Sequence, residues 1–207
     1  MIIGVTGPIA TGKSTVDHML RELGASPVID GDRVVHELYR NLGELRERLV
    51  ALFGPEIVGA DGAIDRRALG ERVFGDPTAL RQLEEVVHPA VRAEIRRRLD
   101  EAPPDSVAVV DAVKLLQGDL AQLCAARWWV AASRDEQLRR LVELRHYSRE
   151  EAERRLTAQP RLEDYQAQVD LVIDNSGPLD STRRQVEAGW HALVGAQGPR
   201  HRLIADG

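Results

Sequence analysis

Short apolar runs alternate along the chain with stretches whose apolar residues recur every three or four positions. The runs rich in β-branched or aromatic residues predict five strands, at 1–6, 27–30, 106–110, 127–132 and 169–174. Helical spacing between the first two runs predicts a helix that ends near Gly24. Because a strand, a helix and a strand of these lengths join through a right-handed crossover, the pattern predicts an α/β fold around a parallel five-stranded sheet.

Residues 43–101 differ from the rest, because they carry helical periodicity and no clear strand. Asp65 has the position of a helix N-cap, and His88-Pro89 is expected to separate two helices. We therefore expect a helical insertion at 43–101 in a core made of residues 1–42 and 102–192.

The sequence predicts a short helical segment at residues 145–161, after the fourth strand. Ser148 and Glu151 have the spacing of a capping box, so a helix is expected to begin there. Its arginines alternate with glutamates, which fits either a solvated face with i,i+4 ion pairs or a lid over phosphate oxygens. A terminal helix follows the last strand, and residues 193–207 are expected to form a flexible tail.

Residues 7–14 match the phosphate-binding pattern G-x-x-x-x-G-K-[ST] without a mismatch. They read Gly7, Pro8, Ile9, Ala10, Thr11, Gly12, Lys13, Ser14, and Thr15 follows. A strand precedes the loop and a helix follows it, as a P-loop requires. Glycines let backbone N–H groups turn toward phosphate oxygens, and the helix N-terminus adds to the attraction. The motif predicts nucleoside triphosphate binding, with Lys13 at the β- and γ-phosphates and Ser14 on Mg²⁺.

Aspartates follow two of the other predicted strands. Asp30 and Asp32 come after the second strand, and the carboxyl ends of parallel strands meet at one edge of a sheet. They are therefore expected at the same edge as the P-loop. Asp111 ends the third strand, where it fits either a Walker B carboxylate near Mg²⁺ or a structural aspartate, in a loop or at a helix N-cap.

The composition excludes several classes of protein. The net charge of −5 and the absence of a separate basic block argue against a nucleic-acid surface. The single cysteine, Cys124, excludes an internal disulfide and suits a small core residue. No apolar run is long enough to span a bilayer, and the first strand occupies the position of a signal peptide, so a cytoplasmic protein is expected.

Only two of the 28 basic residues are lysines, Lys13 and Lys114, which makes Lys114 a second candidate for a functional ammonium.

Several motifs occur in the order found in the dephospho-CoA kinase family, which the chain resembles over about residues 1–192. They are the P-loop with Thr15, Val28-Ile29-Asp30-Gly31-Asp32, Phe53-Gly54-Pro55-Glu56, Asp65-Arg66-x-x-Leu69, Phe74-x-Asp76-Pro77, His88-Pro89, Leu115-Leu116, Ser148-x-Glu150-Glu151 with Arg155 and Gln159, and Val172-Ile173-Asp174-Asn175-x-Gly177. The resemblance implies a three-layer P-loop kinase fold with an acceptor-binding helical insertion and a short helical lid. It also implies transfer of the γ-phosphoryl group of ATP to the ribose 3′-hydroxyl of dephospho-CoA, with Mg²⁺.

The resemblance implies a role for individual residues as well. Asp32 would orient the acceptor hydroxyl and accept its proton, and Asp30 would be a less certain partner. Lys13 and Arg145 would act on the transferred phosphoryl group, and the loop of Asn175 would lie near the adenine. Ser14 and Asp111 would hold the metal. The acceptor would contact residues from the insertion, the third strand and the lid: His88, Lys114, Arg149 and Arg155.

Two departures from the family pattern concern the acceptor. His36 stands where the family usually carries an arginine, and Lys114 replaces a usual proline.

Two other functions are alternatives to phosphorylation of dephospho-CoA: a P-loop kinase for another small acceptor, such as a nucleoside, and a silent nucleotide-binding module. Asp32 and Ser14 argue against the silent module. A monomer or a small homo-oligomer is expected, with no nucleic acid or membrane as partner.

Overall fold

The computed structural model describes residues 1–41 and 43–195. The chain divides into two compact units. The first contains Met1–Val28 together with the chain from Asp105 onwards, and the second contains Ile29–Pro104. The second unit thus includes the helix after the second strand as well as the expected insertion. Residues 193–195 are helical, and the remainder of the expected tail, residues 196–207, lies outside the described residues.

The expected parallel sheet of five strands is confirmed. The strands are β1 (Ile2–Thr6), β2 (Val28–Asp30), β3 (Ala108–Asp111), β4 (Ala126–Ala131) and β5 (Leu171–Asp174). Their order is β2-β3-β1-β4-β5, and β1 pairs in parallel with β3 on one side and β4 on the other. The loop after β1 therefore leaves the sheet at the middle of its carboxyl edge, where ligands bind in folds of this kind.

Side chains of successive residues point to opposite faces of the sheet, as Trp128 and Trp129 on β4 illustrate. Trp128 is buried in the main core with residues of β1, the first helix and the last helix. Trp129 belongs to a smaller cluster on the other face, where its ring stacks on Tyr165 with centroids 6.1 Å apart. An apolar run that is buried on both faces is typical of a parallel strand in a layered α/β fold.

Several helices of the first unit begin at serine N-caps or end at a glycine, as expected from local sequence rules. They are α1 (Lys13–Glu22), α6 (Leu120–Leu123), α7 (Arg134–Glu143), α8 (Arg149–Thr157) and α9 (Leu179–Gly195). Helix α1 ends in a Schellman motif at Gly24, whose φ is 103°. The hydroxyls of Ser133 and Ser148 accept hydrogen bonds from the backbone at the starts of α7 and α8, so the expected helix start at Ser148 is confirmed.

The second unit is helical, as expected for most of its length. It contains α2 (Gly31–Arg40), α3 (Glu44–Phe53), α4 (Arg66–Val73) and α5 (Pro77–Asp100) around a core of its own. The Asp65 carboxylate accepts hydrogen bonds from Arg67 N and Ala68 N, which confirms its role as an N-cap.

The expected break at His88-Pro89 is wrong, because α5 runs through both residues as one helix. A proline inside a helix removes one backbone hydrogen bond, yet the helix continues where packing holds both halves. Here Val86 and Val87 before the proline and Ile95 after it are all buried. Tertiary packing therefore outweighs the tendency of Pro89 to end a helix.

Cys124 was expected to be a small residue of the core. Cys124 is partly buried, and desolvation raises the pKa of its thiol to about 11. Its Sγ donates a hydrogen bond to the Leu120 carbonyl oxygen at 3.3 Å.

Among the described helices, none combines the length and the apolar character needed to cross a bilayer.

Candidate active site

The P-loop follows β1 directly and turns sharply before α1. Gly7 and Gly12 have φ angles of 144° and 93°, and Ala10 between them has a φ of 61°. These angles lie in the region that glycine adopts readily and other residues rarely do. The alternation turns successive peptide groups in different directions and so forms a concave loop in front of the N-terminus of α1.

Arg140 on α7 and Asn175 after β5 hold the outer side of this loop. The Arg140 Nη1 donates hydrogen bonds to the carbonyl oxygens of Ala10 and Thr11 at 3.1 and 3.0 Å. The Asn175 Nδ2 donates to the same Thr11 oxygen at 2.8 Å, and Arg140 Nη2 donates to the Asn175 carbonyl oxygen at 2.7 Å. Both carbonyl groups are thus engaged by side chains of the protein, which favours the binding of an anion by N–H groups of the loop.

Glu136 fixes the guanidinium of Arg140. Its Oε1 accepts a hydrogen bond from Arg140 Nε at 2.8 Å. Hydrogen bonds from Arg139 and then Arg140 lower the pKa of Glu136 to about 2, so this carboxylate stays ionised through the whole neutral range. The arginine that holds the P-loop is thus held by a permanent counter-charge.

The structure also explains why both P-loop glycines lack a side chain. A Cβ on Gly7 would lie 2.2 Å from the Val130 carbonyl oxygen, and one on Gly12 would lie 2.1 Å from Asn175 Nδ2. The first neighbour is backbone of the adjacent strand β4 and cannot move aside.

Gly7→Ala is therefore expected to destabilise the protein by about 2–5 kcal/mol, the sum of overpacking and an unfavourable φ. Gly118→Ala is the matched control, because no atom lies within 4 Å of the added Cβ and the φ of Gly118 is −136°. The free energy of unfolding in urea measures both. Equal stability of the two variants would show that the close approach of Gly7 to β4 is unimportant.

Lys13, Ser14 and Thr15 form the first turn of α1. The Lys13 Nζ donates a hydrogen bond to the Gly7 carbonyl oxygen at 3.2 Å, so its side chain bends back across the loop. Ser14 is exposed, and Thr15 N donates to the Gly12 oxygen at 3.0 Å. The free N–H groups of a helix start and a lysine that crosses the loop concentrate positive charge on one small surface.

The expected metal ligands are Ser14, in the first turn of α1, and Asp111. Asp111 is the last residue of β3 and pairs in register with Val5 on β1, so it ends beside the strand that leads into the P-loop. Its side chain is buried. In the described part of the chain, no group of three or more histidines, cysteines, aspartates or glutamates could hold an ion by itself. A hydroxyl and one carboxylate suit Mg²⁺, which takes oxygen ligands and completes its shell with water and substrate phosphates.

The side chain of Asn175 is engaged in the protein interior. It is 4% exposed, and its Oδ1 accepts a hydrogen bond from Thr182 Oγ1 at 2.8 Å while its Nδ2 contacts the P-loop. Any contact of this loop with a base would therefore come from its neighbours or its backbone.

The arginines of the expected lid lie on or near α8 and are largely exposed. Arg145 is in the turn between α7 and α8. Arg149 pairs with Glu153 at 3.1 Å. Arg155 pairs with Glu151 at 2.7 Å and lies over the Tyr147 ring, 4.6 Å from its centroid. Lys114, also exposed, stands in the loop after β3.

A cavity of about 610 Å³ borders the P-loop at Pro8 and Thr11. Trp129 contributes to its wall, and Arg134 and Arg161 line it from the start of α7 and the segment after α8. The cavity offers room for a ligand group beside the loop, between aromatic and cationic side chains.

The expected general base, Asp32, belongs to the second unit. It lies exposed in the first turn of α2, one turn before His36. Asp30 is the N-cap of this helix, and its Oδ1 accepts a hydrogen bond from Arg33 N at 3.1 Å. Of the two carboxylates, Asp30 is thus occupied with the helix start. His88 is half-buried within α5.

Sequence reasoning missed Arg140, and only helix orientation could have found it. Arg139 and Arg140 are adjacent, and the side chain of the first is 48% exposed while that of the second is 17% exposed. The phase of α7 is set by Leu141, which is fully buried beside Arg140. The apolar phase of the helix was therefore the one available signal.

Comparison with known proteins decides the family. A sequence profile described as dephospho-CoA kinase matches residues 1–181. The chain belongs to the dephospho-CoA kinase family. A dephospho-CoA kinase from Symbiobacterium thermophilum is 45% identical over 95% of this chain and 83% of its own length.

Solved structures agree with this family assignment. A protein from Thermus thermophilus is 33% identical with a TM-score of 0.78, over 96% of this chain and 98% of that one. A dephospho-CoA kinase from Campylobacter jejuni is 26% identical with a TM-score of 0.62, over 93% and 96%. The expected P-loop kinase fold is confirmed, and the chain is a kinase of this family.

Proposed function

We propose that this dephospho-CoA kinase transfers the γ-phosphoryl group of ATP to the ribose 3′-hydroxyl of dephospho-CoA, giving coenzyme A and ADP. The observation that carries the proposal is a complete P-loop, whose Ala10 and Thr11 carbonyl groups are bound by Arg140 and Asn175, in a chain that matches this family over most of its length. Such a loop accounts for the phosphates of ATP, and the family accounts for the acceptor.

The donor half of the reaction rests on the P-loop and on arginines. Backbone N–H groups of the loop and of the start of α1 would bind the phosphates, apart from that of Ile9, which donates to Gln159, and the Lys13 ammonium would neutralise charge on the β- and γ-phosphates. Arg145 would reach the transferred group from the turn between α7 and α8. Catalysis of this kind consists chiefly of positioning and of stabilising charge that moves between oxygens.

Mg²⁺ would be held by Ser14 and Asp111. The ion supplies charge neutralisation at the phosphate oxygens when it is bound. The support for this assignment is the donor set, a hydroxyl and a carboxylate at the ends of neighbouring elements. For Asp111 this favours the Walker B interpretation over a purely structural aspartate.

The acceptor half of the reaction rests on the residues of 29–104 and on single cations elsewhere. Asp32 would accept a hydrogen bond from the 3′-hydroxyl and take its proton as the new bond forms. His88, Lys114, Arg149 and Arg155 would contact the acceptor, whose diphosphate carries negative charge. The cytoplasm is the proposed location, because ATP and the acceptor are metabolites of that compartment.

The test is turnover of purified protein with Mg-ATP and a panel of acceptors. ADP release is expected with dephospho-CoA, with a much lower kcat/KM for adenosine and other nucleosides. Turnover with a nucleoside and none with dephospho-CoA would contradict the proposal and identify a kinase for a different acceptor.

Lys114→Ala is expected to raise the KM for dephospho-CoA about threefold to tenfold, since a charge-assisted contact contributes about 1 kcal/mol at an exposed site. The KM for ATP should stay unchanged, and Lys114→Arg should recover part of the loss. Steady-state kinetics with each substrate varied in turn measures the effect. An unchanged KM for dephospho-CoA would return Lys114 to the exposed surface residues without a function.

A further inference from the structure

Two glutamines of the hairpin formed by α7 and α8 bind the same P-loop residue, Ile9, in addition to the contacts of Arg140 with Ala10 and Thr11. The Ile9 N–H donates a hydrogen bond to Gln159 Oε1 at 3.1 Å, and the Ile9 carbonyl oxygen accepts one from Gln137 Nε2 at 2.7 Å. Gln137 lies on α7, and Gln159 lies just after α8. Both ends of the hairpin thus contact the same residue of the phosphate-binding loop.

The identity of the partners settles the orientation of both amide groups. An N–H group can only donate and a carbonyl oxygen can only accept, so Gln159 presents its oxygen and Gln137 its nitrogen. Gln137 is 8% exposed, and a glutamine at such a site is costly unless its polar atoms are paired. The contact with Ile9 supplies that pairing.

Apolar packing adds to the same connection. The side chains of Ile9 and Ala10 pack against the hairpin's own core, whose fully buried members are Leu141 and Ala152. The loop therefore does not merely lie near the hairpin. Ile9 and Ala10 contact the apolar side chains that α7 and α8 bury.

From these contacts we propose that Gln137 and Gln159 are positioning residues for nucleotide binding. They hold the peptide groups on both sides of Ile9 and so set the backbone of the P-loop from the two ends of the hairpin. The same contacts fix the base of the segment that carries Arg145 and Arg149. The proposal rests on the proposed use of ATP as donor and does not depend on which acceptor is phosphorylated.

The test uses Gln137→Met and Gln159→Met, singly and together, because methionine keeps the size of the side chain and removes the hydrogen bond. Gln168→Met is the matched control, an exposed glutamine of the same unit. Calorimetric titration with Mg-ADP gives nucleotide affinity in the absence of any acceptor. Steady-state kinetics then gives the KM for ATP and for dephospho-CoA.

Each single variant is expected to raise the Kd for Mg-ADP about threefold to tenfold, which corresponds to one hydrogen bond. In the double variant the increase should be smaller than the product of the two, because both residues act on Ile9. The KM for ATP should follow the Kd, and the KM for dephospho-CoA should not change. Gln168→Met should leave all three constants unchanged.

A purely structural role gives a different result. Partial unfolding lowers the apparent kcat through the amount of active enzyme and leaves both KM values as they were. That result, an unchanged Kd for Mg-ADP, or independent effects that multiply in the double variant would overturn the proposal. Gln159→Met alone suffices if Gln137→Met fails to fold, since Gln159 is only half-buried. Failure of turnover with dephospho-CoA would contradict the proposed function and leave the Mg-ADP titration interpretable.

Discussion

Asp32→Asn is expected to lower kcat with dephospho-CoA by about 10²–10⁴-fold, the range of a lost general base. Asparagine has nearly the same shape, but its amide cannot take the proton of the acceptor hydroxyl. Because Asp32 is an exposed residue in the first turn of α2, the substitution should leave the fold intact. The Kd for Mg-ADP should therefore stay within about twofold, as for a surface substitution.

Asp180→Asn is the matched control for this experiment. Asp180 is also exposed in the first turn of a helix, α9, and so shares the charge and helix position of Asp32. Single-turnover and steady-state rates should be normal in this variant. If Asp32→Asn retained a kcat near the wild-type value, another group would have to accept the proton or none would be needed.

Lys13→Ala is expected to reduce kcat/KM for ATP by about 10²–10³-fold, comparable to the removal of one preorganised donor at a developing charge. The ammonium lies across the P-loop, 3.2 Å from the Gly7 carbonyl oxygen, and the substitution removes its positive charge. Most of the loss should appear in kcat, because charge on the bridging oxygen grows in the transition state.

The control for Lys13 is Lys13→Arg, which retains the charge. A planar guanidinium is larger than an ammonium and presents its donors in a fixed fork instead of at one point, so little recovery is expected. Full recovery would show that the loop requires a positive charge and not the compact shape of lysine. Normal kinetics in Lys13→Ala would contradict the assignment of this loop to the phosphates of ATP.

Much of the first unit could be predicted from the sequence because its signals are local. The P-loop is eight adjacent residues whose glycines, lysine and serine each have a separate physical reason. The strands are apolar on both faces and the helix caps at Ser133 and Ser148 follow short-range rules. Local rules of this kind survive folding because the surrounding packing agrees with them.

The failures occurred where distant contacts decide the outcome. Pro89 breaks a helix in isolation, yet α5 continues through it because buried residues on both sides hold the helix together. The contacts of Arg140 with the P-loop join residues about 130 positions apart in sequence. The apolar phase of α7 turns Arg140 toward the protein and Arg139 toward water, but it does not specify that Arg140 binds the P-loop.

The role of the acceptor residues depends on distances that no motif specifies. Asp32 and His88 belong to the unit 29–104, and Lys114, Arg149 and Arg155 belong to the other. Each remains a prediction with its own kinetic signature: a fall in kcat for Asp32 and a rise in the acceptor KM for Lys114. Substitution of each residue in turn separates proton transfer from acceptor binding.

The central claim is transfer of the γ-phosphoryl group to one oxygen of dephospho-CoA. The most direct measurement is the identity of the product formed from γ-³²P-labelled ATP and dephospho-CoA in the presence of Mg²⁺. Labelled coenzyme A is the expected product, with the label in a phosphomonoester on the ribose 3′-oxygen, as seen by ³¹P NMR of a scaled reaction. Label in inorganic phosphate alone, or on any other oxygen of the acceptor, would contradict it.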